Sequence, residues 1–476
     1  MRHSSIARAL ALTALLLAGC RTLVPAAPAS VPQAGPVALQ ESDRILVLVP
    51  HPDDEVLGAG GVLREAARRG LPLRVVFLTN GDSNEWSFLA YRKRPVLMPG
   101  GALTMGTIRH QEALAAATAL GVASRDLTFL GYPDYGTLDI WRSHWALSPP
   151  DRGRLTRARA VPYPTAFRPG APYKGEEILA DLETILRDFK PTRIFVSHPA
   201  DHHPDHAALY LFTRVALWDL QGEVSATVHP FLVHYPGWPR AKGVRPDQEL
   251  SPPARLLAGF RWQSRDLDPE AVATKRLALA EHRTQYGYSA SRLLPFVRPN
   301  ELYGDLTVPV LAAGGGSVRL LDAAAGPEAA SDSVDLQGLT VRRTRDRLEI
   351  EMELQEPLTE GSAVSLSALG YRSDVPFAAM PKLEVRIEPH AWTVRDQGRA
   401  LPRSAAWGGA QDRRLVARIP LASLNDPRRI FLQVRAGSRR SALGQTPWWI
   451  VELRPGSAEQ RAAVAGGEAS TSPAIR

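Results

Sequence analysis

From Arg44 onward, short aliphatic runs alternate with segments of helical periodicity. Ile45–Val49, Leu73–Thr79, Leu127–Leu130, Arg193–Ser197 and Phe231–His234 read as strands. Val56–Arg69, Thr107–Leu120, Glu176–Phe189, Asp205–Trp218 and Pro269–Thr284 read as helices. Strands joined through helices run parallel, and a parallel sheet needs both faces covered. The expected class for residues 44–305 is therefore α/β: a Rossmann-like, mainly parallel sheet with helices on both faces. Ligands in such sheets bind outside the carboxyl ends of the strands. Four polar clusters stand at that edge here: His51–Glu55, Thr79–Asp82, Gly131–Asp134 and His198–His206. Their convergence on one rim predicts a site.

Past Tyr303 the helical period stops. Gly314-Gly-Gly-Ser and a small-residue run place a boundary at 306–333, and strict alternation, as in Leu348-Glu-Ile-Glu-Met-Glu-Leu354, continues to Leu453. Residues 334–455 are expected to form an all-β, sandwich-like domain with one wet face, followed by a disordered tail at 456–476. The sandwich loosely resembles carbohydrate-binding accessory modules, with Trp392, Trp407 and Trp448 as stacking candidates. Two insertions, Asn84–Gly101 and Ile140–Gly175, flank the rim. The second interleaves Trp141, Trp145, Tyr163, Phe167 and Tyr173 with arginines. That mixture suits either a sugar-gripping surface or a loop with its own small cluster.

The N-terminus reads as an address. A basic start and an apolar run, Ala9–Ala18, lead to Leu17-Ala-Gly-Cys20, which resembles a bacterial lipoprotein signal box. The expectation is a signal peptide at 1–19, lipidation of Cys20, a linker at 20–43, and an exported protein anchored to the membrane. Cys20 is the single cysteine, which excludes an intrachain disulfide and a cysteine-based metal site. A formal charge of +8 over 476 residues, with scattered arginines, argues against a nucleic-acid partner.

The chemistry lies in Val49-Pro-His-Pro-Asp-Asp-Glu55 and Ser197-His-Pro-Ala-Asp-His-His-Pro-Asp-His206. Crowded carboxylates at the end of a buried strand repel one another unless a cation neutralises them. Two histidines and a carboxylate would hold such a cation and leave positions open for water and substrate. Spacing alone leaves His198 with His202, and His202 with His206, as rival pairs. Gly58-Ala-Gly-Gly61 after a strand imitates a dinucleotide fingerprint, but the glycines fall inside the predicted helix and Asp53, Asp54 and Glu55 would repel a pyrophosphate.

These two segments resemble the PIG-L/LmbE-like zinc-dependent N-deacetylases, whose signature is a P/A-H-P-D-D-E stretch followed downstream by H-P-D-H. Thr79-Asn-Gly-Asp82, Arg109-His-Gln-Glu112, Leu130-Gly-Tyr-Pro-Asp134 and Glu281-His-Arg-Thr-Gln285 agree with it. The resemblance covers roughly residues 44–303. It implies Zn2+, or another divalent metal, on His51, Asp54 and His206. Asp53 becomes the general base, His203 the oxyanion donor held by Asp205, and Arg109 and Asp134 the substrate contacts. The implied reaction removes N-acetyl groups from N-acetylglucosamine-type sugars, with an envelope or extracellular glycan as the expected partner. The alternatives are a non-catalytic glycan-binding lipoprotein and a deacylase of another N-acyl conjugate. Glu55 and His282 read as structural, Asp201 and His202 as groups supporting the ligands or meeting substrate, and His110 is unassigned.

Overall fold

The computed structural model describes residues 35–93, 98–240, 242–322, 336–438 and 444–454. The signal peptide, Cys20 and the 456–476 tail lie outside the described residues.

Five strands, β1 (Ile45–Val49), β2 (Leu73–Thr79), β3 (Leu127–Tyr132), β4 (Arg193–Ser197) and β5 (Thr227–Phe231), form a parallel sheet in the order β3-β2-β1-β4-β5. The helices are α1 (Asp54–Arg68), α2 (Glu85–Arg92), α3 (Pro99–Ala119), α4 (Thr137–Ser143), α5 (Gly175–Phe189), α6 (Pro204–Asp219), α7 (Pro269–Glu281) and α8 (Arg283–Leu293). Every residue of β1 is buried, because alternate side chains feed two cores. Ile45, Val47 and Val49 pack with α1, α3 and α7, while Leu46 and Leu48 pack with α5 and α6. A further antiparallel pair, β6 (Phe260–Asp266) and β7 (Asn300–Leu306), flanks this unit.

The α1 glycines serve helix packing. A Cβ on Gly58 would stand 2.2 Å from the Phe231 ring, and one on Gly61 2.2 Å from Leu267. No phosphate cradle is involved, which removes the dinucleotide reading. The helix breaks at Ala59 (φ −143°). The freed groups are satisfied by a buried pair: Glu301 accepts from the Gly61 and Val62 amides at 2.8 and 3.3 Å, and Lys275 Nζ donates to the Leu57 carbonyl at 3.0 Å. Lys275 and Glu301 are themselves 2.7 Å apart. An unpaired charge there would be costly, so the pair holds α1 in one bent shape.

Several boundaries differ from expectation. Part of the Asn84–Gly101 insertion is helical, as α2 and the first turn of α3. The end of the 20–43 linker is packed, with Val37 and Leu39 buried and the Val37 amide bonded to the Ser264 carbonyl. The 306–333 boundary contains strands: Val310–Leu311 pairs with Trp449–Leu453, and Gly316–Asp322 edges a sheet.

The C-terminal region holds two mainly antiparallel sheets that share one core. One carries Arg347–Leu354 at its centre; the other is built on Ser362–Tyr371 and Arg429–Ser438. The second has no wet face over Ser362–Tyr371, where all ten residues are buried. Its outer side is covered by α4, α5 and α6. Trp141 meets Phe377 at 4.9 Å and Phe431 at 5.3 Å between ring centroids, Trp145 meets Phe377 at 5.1 Å, and Tyr371 donates to Asp219 at 2.8 Å. The sugar-gripping reading of Trp141, Trp145, Tyr163 and Tyr173 is therefore corrected: all four are core residues. Trp448 is buried too, while Trp407 is exposed with the Arg418 guanidinium 4.6 Å over its ring. The Trp448 amide bonds the Pro199 carbonyl at 2.9 Å, so the segment leading into the Trp449–Leu453 strand braces the loop between β4 and α6.

Candidate active site

The carboxyl ends of β1, β4 and β5 deliver a cluster of imidazoles and carboxylates. Asp54, in the first turn of α1, places one oxygen, Oδ2, 3.1 Å from both His51 Nδ1 and His206 Nε2. Each imidazole has a carboxylate behind its other nitrogen. His51 Nε2 stands 3.1 Å from Asp205 Oδ2 and 3.2 Å from Asp134 Oδ1; His206 Nδ1 stands 3.1 Å from Asp201 Oδ2. Metal-binding histidines are commonly oriented by carboxylates in this way. His206 is fully buried, yet neither of its nitrogens has a properly aligned hydrogen bond. Ligands bonded to one Zn2+ at about 2.0–2.2 Å stand roughly 3–3.5 Å apart. Among the described residues, one atom each of His51, His203 and His206, and one each of Asp54, His206 and His234, lie within 4.8 Å of one another, so the cluster as a whole suits a divalent cation.

The lone pairs are set by local structure. His203 caps α6, and its Nδ1 accepts the Asp205 amide at 3.3 Å, so the proton resides on Nε2. Burial, reinforced by His51, His234 and His206, holds His203 well below the usual histidine range, and the ring is neutral. It is a hydrogen-bond donor beside the cluster, with its ring centroid 4.6 Å from that of His51.

Asp205 meets His203 through its backbone N–H, and its carboxylate turns elsewhere. That carboxylate is 4.0 Å from His203 Nδ1. It accepts instead from the Tyr135 amide (2.7 Å), the Thr137 amide (3.1 Å) and the Thr137 hydroxyl (2.5 Å), and it faces His51. Asp205 steers His203 through its backbone N–H and His51 through its side chain.

Asp53 lies beside the ligands, mostly buried, in the backbone conformation φ 126°, ψ −29°. Such a conformation costs a non-glycine residue about 1–3 kcal/mol and persists only where neighbours enforce it. Burial pushes its carboxyl up to about 7; Arg109 opposes that shift and Asp54 adds to it. Arg109 is clamped by the Gly81 carbonyl at 3.0 Å and the Pro52 carbonyl at 2.5 Å, and its Nη2 reaches Asp53 Oδ1 at 3.4 Å. Only 3% of Arg109 is exposed. Its guanidinium bonds to the Gly81 and Pro52 carbonyls and reaches Asp53, which sets it against the candidate base. Asp134 is equally buried: Oδ2 accepts the Ser83 amide at 2.7 Å and Oδ1 faces His51.

The rival histidines fall elsewhere. His198 is buried against Phe260 and Trp262, His202 packs on Tyr235, and His110 stacks on Phe129. Two residues near the centre escaped the sequence reading. Tyr135, half exposed, lays its ring 4.4 Å from His203. His234, expected to be the last residue of a strand, lies beyond the end of β5 and places its ring 4.7 Å from His206. Strand-end polarity was its one signal, and the β5 run carried no motif to sharpen it.

Residues 46–217 match the family described as PIG-L: GlcNAc-PI de-N-acetylase. Two curated relatives are 1D-myo-inositol 2-acetamido-2-deoxy-alpha-D-glucopyranoside deacetylases. The Saccharopolyspora erythraea protein is 32% identical over 189 residues, covering 38% of this chain and 55% of that protein. The protein of a Mycobacterium species (strain KMS) is 32% identical over 184 residues, covering 38% and 52%. The chain thus spans about half the length of the curated relatives it matches. Among solved structures, N,N'-diacetylchitobiose deacetylase from Pyrococcus horikoshii is 21% identical, covering 51% of this chain and 70% of that one, with a TM-score of 0.31.

Proposed function

We propose that the PIG-L domain at residues 46–217 makes this chain a divalent-metal N-deacetylase acting on N-acetylglucosamine-type sugars. The observation that carries the reading is the single Asp54 oxygen standing 3.1 Å from both His51 Nδ1 and His206 Nε2, with Asp53 adjacent. His51, Asp54 and His206 would hold the cation; their N/O donor set suits zinc.

When bound, the cation supplies Lewis acidity, polarising the amide carbonyl and making water at the site easier to deprotonate. Asp53 takes the proton of the attacking water as its oxygen adds to the carbonyl carbon. His203 donates from Nε2 to the oxygen that gains negative charge. Asp53 then passes its proton to the nitrogen as the C–N bond breaks. Amide and water become acetic acid and a free amine, which settle as acetate and the ammonium form, and Asp53 is restored as a carboxylate.

The same reading extends to location. The Leu17–Cys20 box supports an exported protein tethered through Cys20, so the amide would belong to an envelope or extracellular glycan. Labelling with a fatty-acid probe, lost in Cys20→Ala, tests the anchor. Acetate release from N-acetylglucosamine and its oligomers, compared between the native chain and Asp53→Asn, tests the activity. Sugar binding without acetate release from either protein would favour a glycan-binding protein.

A further inference from the structure

Four imidazoles ring the centre, and His51, His203 and His206 have roles in the account above. The fourth, His234, belongs to neither motif. One nitrogen of His234, one of His206 and a carboxylate oxygen of Asp54 all lie within 4.8 Å of one another. Asp54 and His206 are also two of the three ligands inferred above. The His234 ring is 5.1 Å from His203 as well, so it borders the space where substrate must sit.

Its backbone is pinned on both sides. The His234 amide donates to Asp201 Oδ2 at 3.0 Å, and its carbonyl accepts the His202 amide at 2.8 Å. Asp201 Oδ2 also faces His206 Nδ1 at 3.1 Å, so one carboxylate fixes both histidines relative to each other. The His234 ring, in contrast, is the exposed member of its set. A free imidazole on a fixed base, on the solvent side of a three-ligand site, occupies the place an incoming ligand would take.

We propose that His234 is an auxiliary ligand of the cation, bound in the substrate-free protein and displaced when substrate enters. The inference rests on the metal centre of the previous section. An additional imidazole tightens the resting site and biases it towards zinc, cobalt or nickel over magnesium and calcium.

Cobalt(II) alone serves as the probe. The full-length protein and its His234→Ala, His234→Gln and His51→Ala variants are loaded with Co2+, and each is checked for fold by circular-dichroism melting. Visible absorption reports coordination, and competition with a chromophoric chelator reports affinity. Both His234 variants should bind about tenfold more weakly than the native chain and show altered band intensities. Unchanged spectra and affinities in both, with binding lost in His51→Ala, would overturn the proposal and leave the metal centre standing. Binding unaffected by His51→Ala as well would overturn the centre and the proposal together.

Discussion

His282 Nε2 lies 2.7 Å from Glu55 Oε1, and the other oxygen of that carboxylate accepts the Asp53 amide at 2.9 Å. The histidine that opens α8 therefore reaches, through one buried glutamate, the backbone of the residue assigned as base. Asp53 sits at φ 126°, and the Glu55 bond is part of what keeps it there. Removing Glu55 or His282 should let Asp53 relax away from the attacking water while leaving His51, Asp54 and His206 in place. Glu55→Ala and His282→Ala are expected to lose about tenfold or more in kcat, with metal content unchanged. Metal analysis alongside steady-state kinetics checks this; loss of metal in proportion to rate would place the pair in ligand support instead.

Gly81 adopts φ +65°, and a Cβ there would stand 2.1 Å from Arg109 Nη1. Gly81→Ala should therefore strain the turn and displace the guanidinium from the Gly81 and Pro52 carbonyls. Arg109 opposes the effect of burial on Asp53, so its displacement raises the Asp53 pKa further. An acid whose pKa rises loses its carboxylate form at higher pH. The acidic limb of the kcat/KM profile should move upward in both Gly81→Ala and Arg109→Met. A limb that stays put in both variants would show that Arg109 does not govern Asp53.

Asp43 ties the start of β1 to β4. Its oxygens accept from the Gln40 amide (2.7 Å), the Thr192 hydroxyl (2.9 Å) and Arg193 Nε (2.7 Å). Burial raises the Asp43 pKa, but these donors outweigh it and leave the carboxyl below the usual range. The folded value is depressed, so the stabilisation is complete above the unfolded value of about 3.9 and disappears as pH falls through the folded one. Asp43→Asn should lower the melting temperature at neutral pH, by the equivalent of about 1.5–3 kcal/mol, and lower it less as pH falls through the depressed folded value. A loss that does not shrink with falling pH would contradict the charge-based account.

Trp141 and Trp145 close the seam between the α/β unit and the C-terminal sheets. Either one changed to alanine should cost about 3–5 kcal/mol, read as a lowered melting temperature. Removing residues 336–454 should expose that whole seam and release the Pro199 carbonyl from Trp448. Insoluble protein, or equal loss of activity on a monosaccharide and on its oligomers, is expected. A soluble fragment with full monosaccharide activity would make the C-terminal region a dispensable accessory.

Much of the site was legible because its chemistry is local. His51, Asp53 and Asp54 follow one strand, His203 and His206 follow another, and parallel topology delivers both to the same rim. His234 was hidden because it joins the centre from beyond the end of β5 through Asp201, a contact between distant segments. The pairing of Asp205 with His203 was legible because the two are neighbours at the start of α6, where the Asp205 amide meets the ring; that its carboxylate turns to His51 was not, because that contact joins two strand ends. In the C-terminal half, alternation correctly implied antiparallel sheets. It could not indicate that α4, α5 and α6 would cover the face predicted to be wet, because that cover depends on Trp141, Trp218 and Asp219 arriving from the other half of the chain to meet Phe431 and Tyr371.

Catalysis as proposed here depends on one cation shared by His51, Asp54 and His206. The most direct measurement strips the protein with a chelator, titrates Zn2+ back, and follows acetate release from N-acetylglucosamine oligomers at each step. Activity should be absent at first, rise in proportion to metal, level off at one ion per chain, and never return in His206→Ala. Undiminished acetate release from the metal-free protein, or full restoration of His206→Ala by one equivalent of zinc, would contradict it.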